Sequence, residues 1–265
     1  MAAELRDGVV AMIDALGFRG IWTRFEGTIM HTLEALHAEA DARAEDGGVR
    51  VNIFSDTILI ASSPPPGDAD LHASLRAVLR VVEGLWHTAV MASPPLLFRG
   101  CISTGKILVS ERSVVGEAVD EAAGLMEAAD CALVWFAPGA GDDWHDWGFA
   151  RDVLTFPYAI PLRDGRRLQA RTLNPCARFH LVEGGLANAG PDFQRFRERV
   201  AETFHVHSPG KLPADVAIKK QNTHAFIVAA WAYLLDTLRL EQAKIDESMR
   251  RLRERERALD PATGT

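Results

Sequence analysis

The stretches that decide the fold are residues 9–18, VVAMIDALGF, and residues 51–60, VNIFSDTILI. Each places one aspartate, Asp14 or Asp56, among apolar residues of the kind that form a buried strand. An ionised carboxylate in such surroundings is costly unless a cation or hydrogen-bond donors satisfy it. Two of them together point to a shared metal bound through oxygen ligands, and so to an enzyme.

Composition places the chain among soluble globular proteins of one large domain, or of one domain with an appendage. It has 265 residues, 48% of them hydrophobic and 25% charged. The formal net charge of -7 gives no general electrostatic reason to bind nucleic acid. The three cysteines are widely spaced without a CxxC pair, which favours a reducing compartment over a disulfide framework or a zinc site.

Neither a targeting segment nor a membrane span is indicated. No basic, apolar and small-residue sequence typical of a secretion signal begins the chain. The longest apolar stretch, residues 225–235, is about half of the roughly 20 residues that a bilayer crossing needs. We therefore expect a cytoplasmic protein with neither a membrane nor a nucleic acid as partner.

The order of the predicted elements is β, α, β, β, α, β. They are a strand at 7–14, a helix at 17–44, strands at 49–54 and 57–61, a helix at 69–91 and a strand at 96–103. Because the second and third strands are joined so tightly, Asp56 is expected at a hairpin bend. Further elements are a strand at 106–110, a helix at 116–129, a strand at 132–137 and a hairpin at 156–172.

The predicted architecture is an α+β domain over residues 1–175 followed by a helical C-terminal extension over residues 176–265. Within the extension, residues 195–206 and 214–240 have helical character. The tail at 250–257 alternates arginine with glutamate, which fits a coiled-coil arm, a nucleic-acid-binding segment or a solvated helix face. Interleaved opposite charges favour the solvated face.

Four segments in this order resemble class III nucleotidyl cyclases. They are residues 13–18 (IDALGF), 54–56 (FSD), 99–105 (RGCISTG) and 115–123 (VGEAVDEAA). The resemblance spans roughly residues 8 to 170, and it implies the ferredoxin-like βαββαβ catalytic domain of that family. Each segment alone is weak evidence for the family, since similar short sequences arise by chance. Four of them in register on a matching order of elements are a specific signal.

The resemblance implies two-metal catalysis. Asp14 and Asp56 are expected to hold two divalent cations, Mn²⁺ or Mg²⁺, with the carbonyl of Ala15 as a further ligand. Two ions about 3.5 to 4 Å apart need bridging carboxylates on adjacent strand ends, which a central strand and a neighbouring hairpin can supply. Arg99 matches the triphosphate-binding arginine of the family, and a guanidinium suits phosphate oxygens.

The turn that follows the first strand is a candidate phosphate site. Leu16, Gly17 and Phe18 lead into a helix, where unpaired N–H groups and the helix dipole favour an anion. The alternative for Asp14 is a strand-end aspartate that caps this helix. The alternative for Asp56 is an ordinary turn residue.

Several positions depart from the purine cyclases of the family. Asn52 and Ser113 occupy the positions of the two purine-reading residues, and Asp120 and Gly124 those of the asparagine and the transition-state arginine. The missing cation would have to be replaced. Candidates in the edge hairpin and the extension are Arg163, Arg166, Arg167, Lys219 and Lys220.

This pattern, with residues 12–22 (MIDALGFRGIW) and the helical extension, resembles the pyrimidine cyclases of bacterial Pycsar anti-phage systems. That resemblance implies conversion of UTP, or less strongly CTP, into a cyclic monophosphate that activates a separate effector protein. The resemblance to class III cyclases, which build the site between two domains, implies a two-fold homodimer with composite sites for a chain that has only one such domain. The amide of Asn52 could read either pyrimidine, since it offers a donor and an acceptor.

Other readings have less support. Residues 100–106 (GCISTGK) imitate a phosphate-binding loop, but an isoleucine and a strand follow. Residues 142–147 and 205–207 lack a full set of zinc ligands, and surface roles suit them better. The alternative from another class is a non-catalytic cyclase-like module that binds a nucleotide or dimerises.

Overall fold

The computed structural model describes residues 5–17, 21–44, 48–65, 71–110, 113–140, 148–181, 186–207, 210 and 212–259. The strands are β1 (Leu5–Ala15), β2 (Val49–Phe54), β3 (Thr57–Ser62), β4 (Phe98–Val109), β5 (Val114–Gly116), β6 (Val134–Phe136), β7 (Thr155–Pro161) and β8 (Arg167–Leu173). The helices are α1 (Ile21–Ala44), α2 (Leu71–Met91), α3 (Glu117–Leu125), α4 (Gly148–Leu154), α5 (Leu186–His207) and α6 (Ala214–Leu259). A short 3-10 helix, Ala177–Leu181, follows β8.

One sheet contains all of these strands in the order β2-β3-β1-β4-β6-β8-β7, with β5 paired to β4. The central strand β1 is antiparallel to both β3 and β4. Helices α1 and α2 make the two crossovers, so the first six elements form the predicted βαββαβ unit.

Alternating residues of β1 enter two cores. Val9, Ala11 and Ile13 belong to the larger one, which also contains buried residues of α1, α2, α5 and α6. Val10 belongs to a smaller core with Ala118 and other residues on the opposite side of the sheet. The sheet is therefore covered on both faces, as its apolar central strand requires.

The C-terminal helices share the larger core with the sheet. The Ala132 N–H donates to the hydroxyl of Thr223 in α6 at 2.9 Å, and the ring of Phe226 stacks on Phe156 of β7 with 5.5 Å between centroids. These contacts fix the start of α6 against the sheet. The division of the chain at residue 175 remains a prediction about independent folding units.

Several elements are longer than predicted, among them α5, which begins at Leu186 rather than at residue 195. The expected strands at 96–103 and 106–110 are one strand, because β1 extends far enough for Leu5 to pair with Leu108 and for Gly8 to face Gly105. Helix α6 continues past residue 240 to Leu259. Its second half carries ion pairs one turn apart, such as Glu247 with Arg250 at 2.6 Å, which support the helix where apolar side chains such as Ile245 are exposed.

Other boundaries differ by less. Helix α3 ends at Leu125 rather than 129, because Ala129 forms a bridge with Leu162. The short elements β5 and α4 were not predicted. Within the described helices, no stretch combines the length and the apolarity that a bilayer crossing needs.

Candidate active site

The structure brings Asp14 and Asp56 to one end of the sheet. Asp14 lies near the end of β1, and Asp56 follows Ser55 in the turn between β2 and β3. Ser55 has a left-handed backbone (φ 59°), as a two-residue hairpin turn requires. The N–H of Ala15 donates to the carbonyl of Asp56 at 2.9 Å, which ties the hairpin to the end of β1.

Arg99 lies directly opposite Asp14 in the register of β1 and β4. Its Nη2 contacts Asp14 Oδ2 at 3.2 Å, and the Thr57 hydroxyl donates to Asp14 Oδ1 at 3.3 Å. The strands approach closely because the next residue of β4 is Gly100: a Cβ there would lie 2.9 Å from the Cα of Ile13. Because Gly100 has no side chain, β4 can approach β1 closely enough for Arg99 to contact Asp14.

The carboxyl of Asp14 is in an environment that resists ionisation. Burial raises its pKa, the Arg99 guanidinium partly opposes that effect, and the carboxylates of Asp56 and Glu127 raise the pKa further. A divalent cation at this point would relieve both the burial cost and the repulsion.

Glu127, in the turn after α3, was not predicted as a site residue. Its Oε1 lies 3.0 Å from Arg99 Nη2 and its Oε2 lies 2.8 Å from Arg163 Nη1, so one carboxylate joins two guanidinium groups. Arg99 is buried, and its Nε has no hydrogen-bond partner among the described residues. The cluster thus holds a buried donor that an anion could satisfy.

These side chains line a cleft of about 760 Å³. Six of the predicted site residues line it: Asp14, Ala15, Leu16, Gly17, Asp56 and Arg99. The Leu16 N–H already donates to the Leu97 carbonyl at 2.7 Å, so this amide is not the unpaired donor that was expected. Phe18 lies outside the described residues.

The C-terminal helices contribute another wall, of which only Lys219 was a candidate from the sequence. It consists of Thr203 and Phe204 from α5 and of Asp215, Val216 and Lys219 from α6. This contribution depends on how α5 and α6 pack against the sheet, and local sequence carries no signal for it.

The predicted base-reading residues do not line this cleft. Asn52 lies on β2, paired in register with Leu59. Ser113 is exposed before β5, and its N–H donates to the Ser110 hydroxyl at 3.0 Å. Asp120 and Gly124, at the positions of the family's asparagine and arginine, lie on α3 and do not line the cleft either.

The structure separates the five candidate cations. Arg163 and Lys219 line the cleft. The other three point to different partners: Arg166 pairs with Asp164 at 2.6 Å, Arg167 donates to the Ala159 carbonyl at 3.3 Å, and Lys220 contacts His205 at 2.7 Å.

The donor set suits a hard divalent cation. Carboxylates and a backbone carbonyl are oxygen ligands, which Mg²⁺ and Mn²⁺ prefer. Within the described ranges, no group of three or more His, Cys, Asp or Glu side chains is placed to hold a metal. Two carboxylates are still sufficient for Mg²⁺, which usually completes its coordination with water and substrate phosphate.

Neither a protein-family model nor a curated protein sequence matches the chain. Its fold matches the adenylyl cyclase CyaB from P. aeruginosa, with a TM-score of 0.50 and 16% identity over 65% of this chain and 96% of that one. It also matches a double mutant of the guanylyl cyclase domain of the RhoGC fusion protein from the aquatic fungus Blastocladiella emersonii, with a TM-score of 0.50 and 16% identity over 65% of this chain and 98% of that one.

The chain therefore has the α+β fold of a class III cyclase catalytic domain, with a helical C-terminal region, as the sequence predicted. At this level of identity, the likeness establishes the fold.

Proposed function

We propose that the protein is a nucleotidyl cyclase that converts UTP, with CTP as the second choice, into 3′,5′-cyclic UMP or cyclic CMP and pyrophosphate. The observation that carries the proposal is that Asp14, Asp56 and Arg99 line one cleft of a cyclase fold. They are the two carboxylates and the guanidinium that the resemblance to class III cyclases implies.

The reaction needs no oxidant or reductant. The ribose 3′-oxygen bonds to the α-phosphorus, the bond from that phosphorus to the bridging oxygen breaks, and pyrophosphate leaves with the electron pair while the hydroxyl proton passes to solvent. Two divalent cations, when bound, would activate the 3′-hydroxyl and neutralise the triphosphate. Asp14, Asp56 and the Ala15 carbonyl would hold them, and Arg99 would bind phosphate oxygens.

Pyrimidine selectivity is assigned to Asn52. Ser113 stands at the position of the family's second purine-reading residue and would not supply that contact. Since Asn52 does not line the cleft of its own chain, it could read the base only in the site of a second chain. The base-reading role of Asn52 therefore requires the two-fold homodimer with composite sites.

The biological part of the proposal rests on the resemblance of residues 12–22 and of the helical extension to Pycsar cyclases. The product would act in the cytoplasm on a separate effector protein as part of antiviral defence.

A non-catalytic nucleotide-binding or dimerisation module is the second candidate. Two observations favour it: Arg99 is paired with Glu127, and Asp120 and Gly124 stand where the family has its asparagine and arginine. Asp14 and Asp56 favour the enzyme, because carboxylates in apolar surroundings lower stability and a binding module has less need of them.

The test is incubation of the full chain with ATP, GTP, CTP and UTP at equal concentrations and Mn²⁺, followed by separation of the cyclic products. Cyclic UMP should dominate, and the Asp14→Asn and Asp56→Asn variants should form none. Dominant cyclic CMP would correct only the base assignment, and dominant cyclic AMP or GMP would reject the pyrimidine proposal. Saturable binding without product would favour the non-catalytic module.

A further inference from the structure

Besides Arg99, and Arg24 of α1, the cleft receives two positive side chains from beyond β6. Arg163 lies in the turn between β7 and β8, and Lys219 lies in the second turn of α6. Both line the cleft that Asp14, Asp56 and Arg99 line. They therefore face the same space as an anion that Arg99 would bind.

Each of these cations is held by a carboxylate at the cleft. Arg163 pairs with Glu127 at 2.8 Å, and Glu127 also pairs with Arg99 at 3.0 Å. Lys219 pairs with Asp215 at 3.4 Å, one helical turn earlier. In both pairs the carboxylate is more exposed than its cation: 52% against 44% for Glu127 and Arg163, and 71% against 23% for Asp215 and Lys219. Such pairs are weak, so a polyanion can replace the carboxylates at little cost.

The position of Lys219 is fixed by packing. Val216 packs against the larger core, and the Asn222 side-chain amide donates to the Asp130 carbonyl at 3.2 Å, so the first turns of α6 are anchored on both sides of Lys219. Its neighbour Lys220 points to His205 instead. One of two adjacent lysines is thus directed to the cleft, which provides a matched comparison.

We propose that Arg163 and Lys219 bind the phosphate groups of the nucleotide beside Arg99, so that these three cations reach the triphosphate from the same chain. The inference rests on the proposed function, in that the cleft binds a nucleoside triphosphate. It assigns to the helical extension a direct role at the site. Asp14 and Asp56 would take up part of the charge of two divalent ions, and the three cations offset the negative charge that then remains. Charge-assisted hydrogen bonds to phosphate are among the strongest polar contacts in proteins.

The test measures binding of inorganic tripolyphosphate to the full-length protein by titration calorimetry with Mg²⁺ in excess. Loss of one charge-assisted contact corresponds to about a tenfold change in affinity. The Arg163→Ala and Lys219→Ala variants should each bind about tenfold more weakly than the unmodified protein. The Arg166→Ala and Lys220→Ala variants, which remove equal charges that point elsewhere, should bind within about twofold of it. A Lys219→Arg variant should retain most of the affinity.

Equal affinities for Lys219→Ala and Lys220→Ala would overturn the assignment of Lys219, and the pair Arg163→Ala and Arg166→Ala decides Arg163 in the same way. Because the probe contains no nucleoside and undergoes no cyclisation, the result is independent of turnover. If no triphosphate is cyclised but the two variants bind weakly, the proposed function fails and this inference stands. If UTP is cyclised but the variants bind normally, the inference fails and the function stands.

Discussion

Glu127 and Arg99 form an ion pair at 3.0 Å on the wall of the cleft where the triphosphate is proposed to bind. The same carboxylate holds Arg163, so in this structure Glu127 occupies the positions that phosphate oxygens would take.

Replacing Glu127 by glutamine should therefore tighten triphosphate binding. The variant keeps the size of the side chain and removes a charge that competes with phosphate. The gain should be at most about fivefold, because ion pairs of a carboxylate as exposed as Glu127 contribute about 0.2 to 1 kcal/mol. Titration of tripolyphosphate against Glu127→Gln measures it, with Glu117→Gln, an exposed residue of α3 that does not line the cleft, as the control. Weaker binding would mean that Glu127 orients Arg99 for the anion.

The Asp14→Asn variant should be inactive but more stable than the unmodified protein without metal. Since burial raises the Asp14 pKa in the folded state, the folded protein binds this proton more readily than the unfolded chain does. At pH 7 the ionised carboxylate therefore costs stability, and asparagine removes that cost. The difference should shrink as the pH falls toward the ordinary value of 3.8, where the native carboxyl becomes protonated.

Thermal unfolding of both proteins between pH 4 and pH 7 measures this effect. Adding Mn²⁺ should raise the melting temperature of the unmodified protein and leave that of Asp14→Asn almost unchanged, since ligand binding to the folded state stabilises it. A less stable Asp14→Asn at pH 7 would show that the ion pair with Arg99 outweighs burial.

Arg99→Ala should weaken binding of every nucleoside triphosphate without changing their order. The guanidinium is proposed to contact phosphate alone, and a charge-assisted contact contributes on the order of 1.5 to 3 kcal/mol. Dissociation constants for all four triphosphates provide the measurement. A changed preference for the base would place Arg99 near the base instead.

Mixing experiments should show which residues act between chains. Chains with Asp14→Ala and chains with Asn52→Ala should each be poorly active, and together they should recover activity, because one site of the mixed dimer has both residues intact. Asn52→Ala alone should cost roughly 1 to 3 kcal/mol for the preferred pyrimidine. The matched control mixes Asp14→Ala with Lys219→Ala. No recovery is expected there, since Lys219 lines the cleft of its own chain. Recovery with Lys219→Ala but not with Asn52→Ala would mean that Lys219, and not Asn52, acts in the site of the other chain.

Acid sensitivity should depend on His87, a residue of α2 that does not line the cleft. Burial, together with the charges of Arg178 and Arg43, lowers its pKa from 6.5 to about 4, and its ring stacks on Phe196 with centroids 5.7 Å apart. Between pH 6.5 and pH 4, His87 is protonated in the unfolded chain but neutral in the folded protein. The free energy of unfolding therefore falls as the pH drops through this range. His87→Phe should lose less stability over this range. Urea unfolding at pH 7.5 and pH 5 compares the two, and equal losses would contradict the assignment.

Local pattern was sufficient to predict the part of the cleft lining that comes from β1, the hairpin and β4. Asp14, Asp56 and Arg99 stand at the ends of apolar strands whose pairing follows from the order of elements, so their convergence could be predicted. The break expected near Gly105 was wrong, because the pairing of β4 with the long β1 carries the strand through it.

The remaining walls depend on tertiary packing. Glu127, Thr203 and Asp215 reach the cleft because α3, α5 and α6 dock where they do, and none of these residues stands in a recognisable motif. The length of α6 was underestimated for a related reason: beyond residue 240 the helix has no apolar face toward the core, and pairs such as Glu247 with Arg251 support it instead.

Gly100 has no charge, yet the spacing between Asp14 and Arg99 depends on it. A methyl group there would meet the backbone of β1, at the Met12 carbonyl and the Ile13 Cα, neither of which can rotate away. The strands would have to separate, and Asp14 and Arg99, the adjacent pair in the register, would move apart with them. A Gly100→Ala protein would thus retain every ligand of the proposed metals and phosphates and still lose their spacing. The spacing of the proposed site therefore depends on a residue that has no side chain.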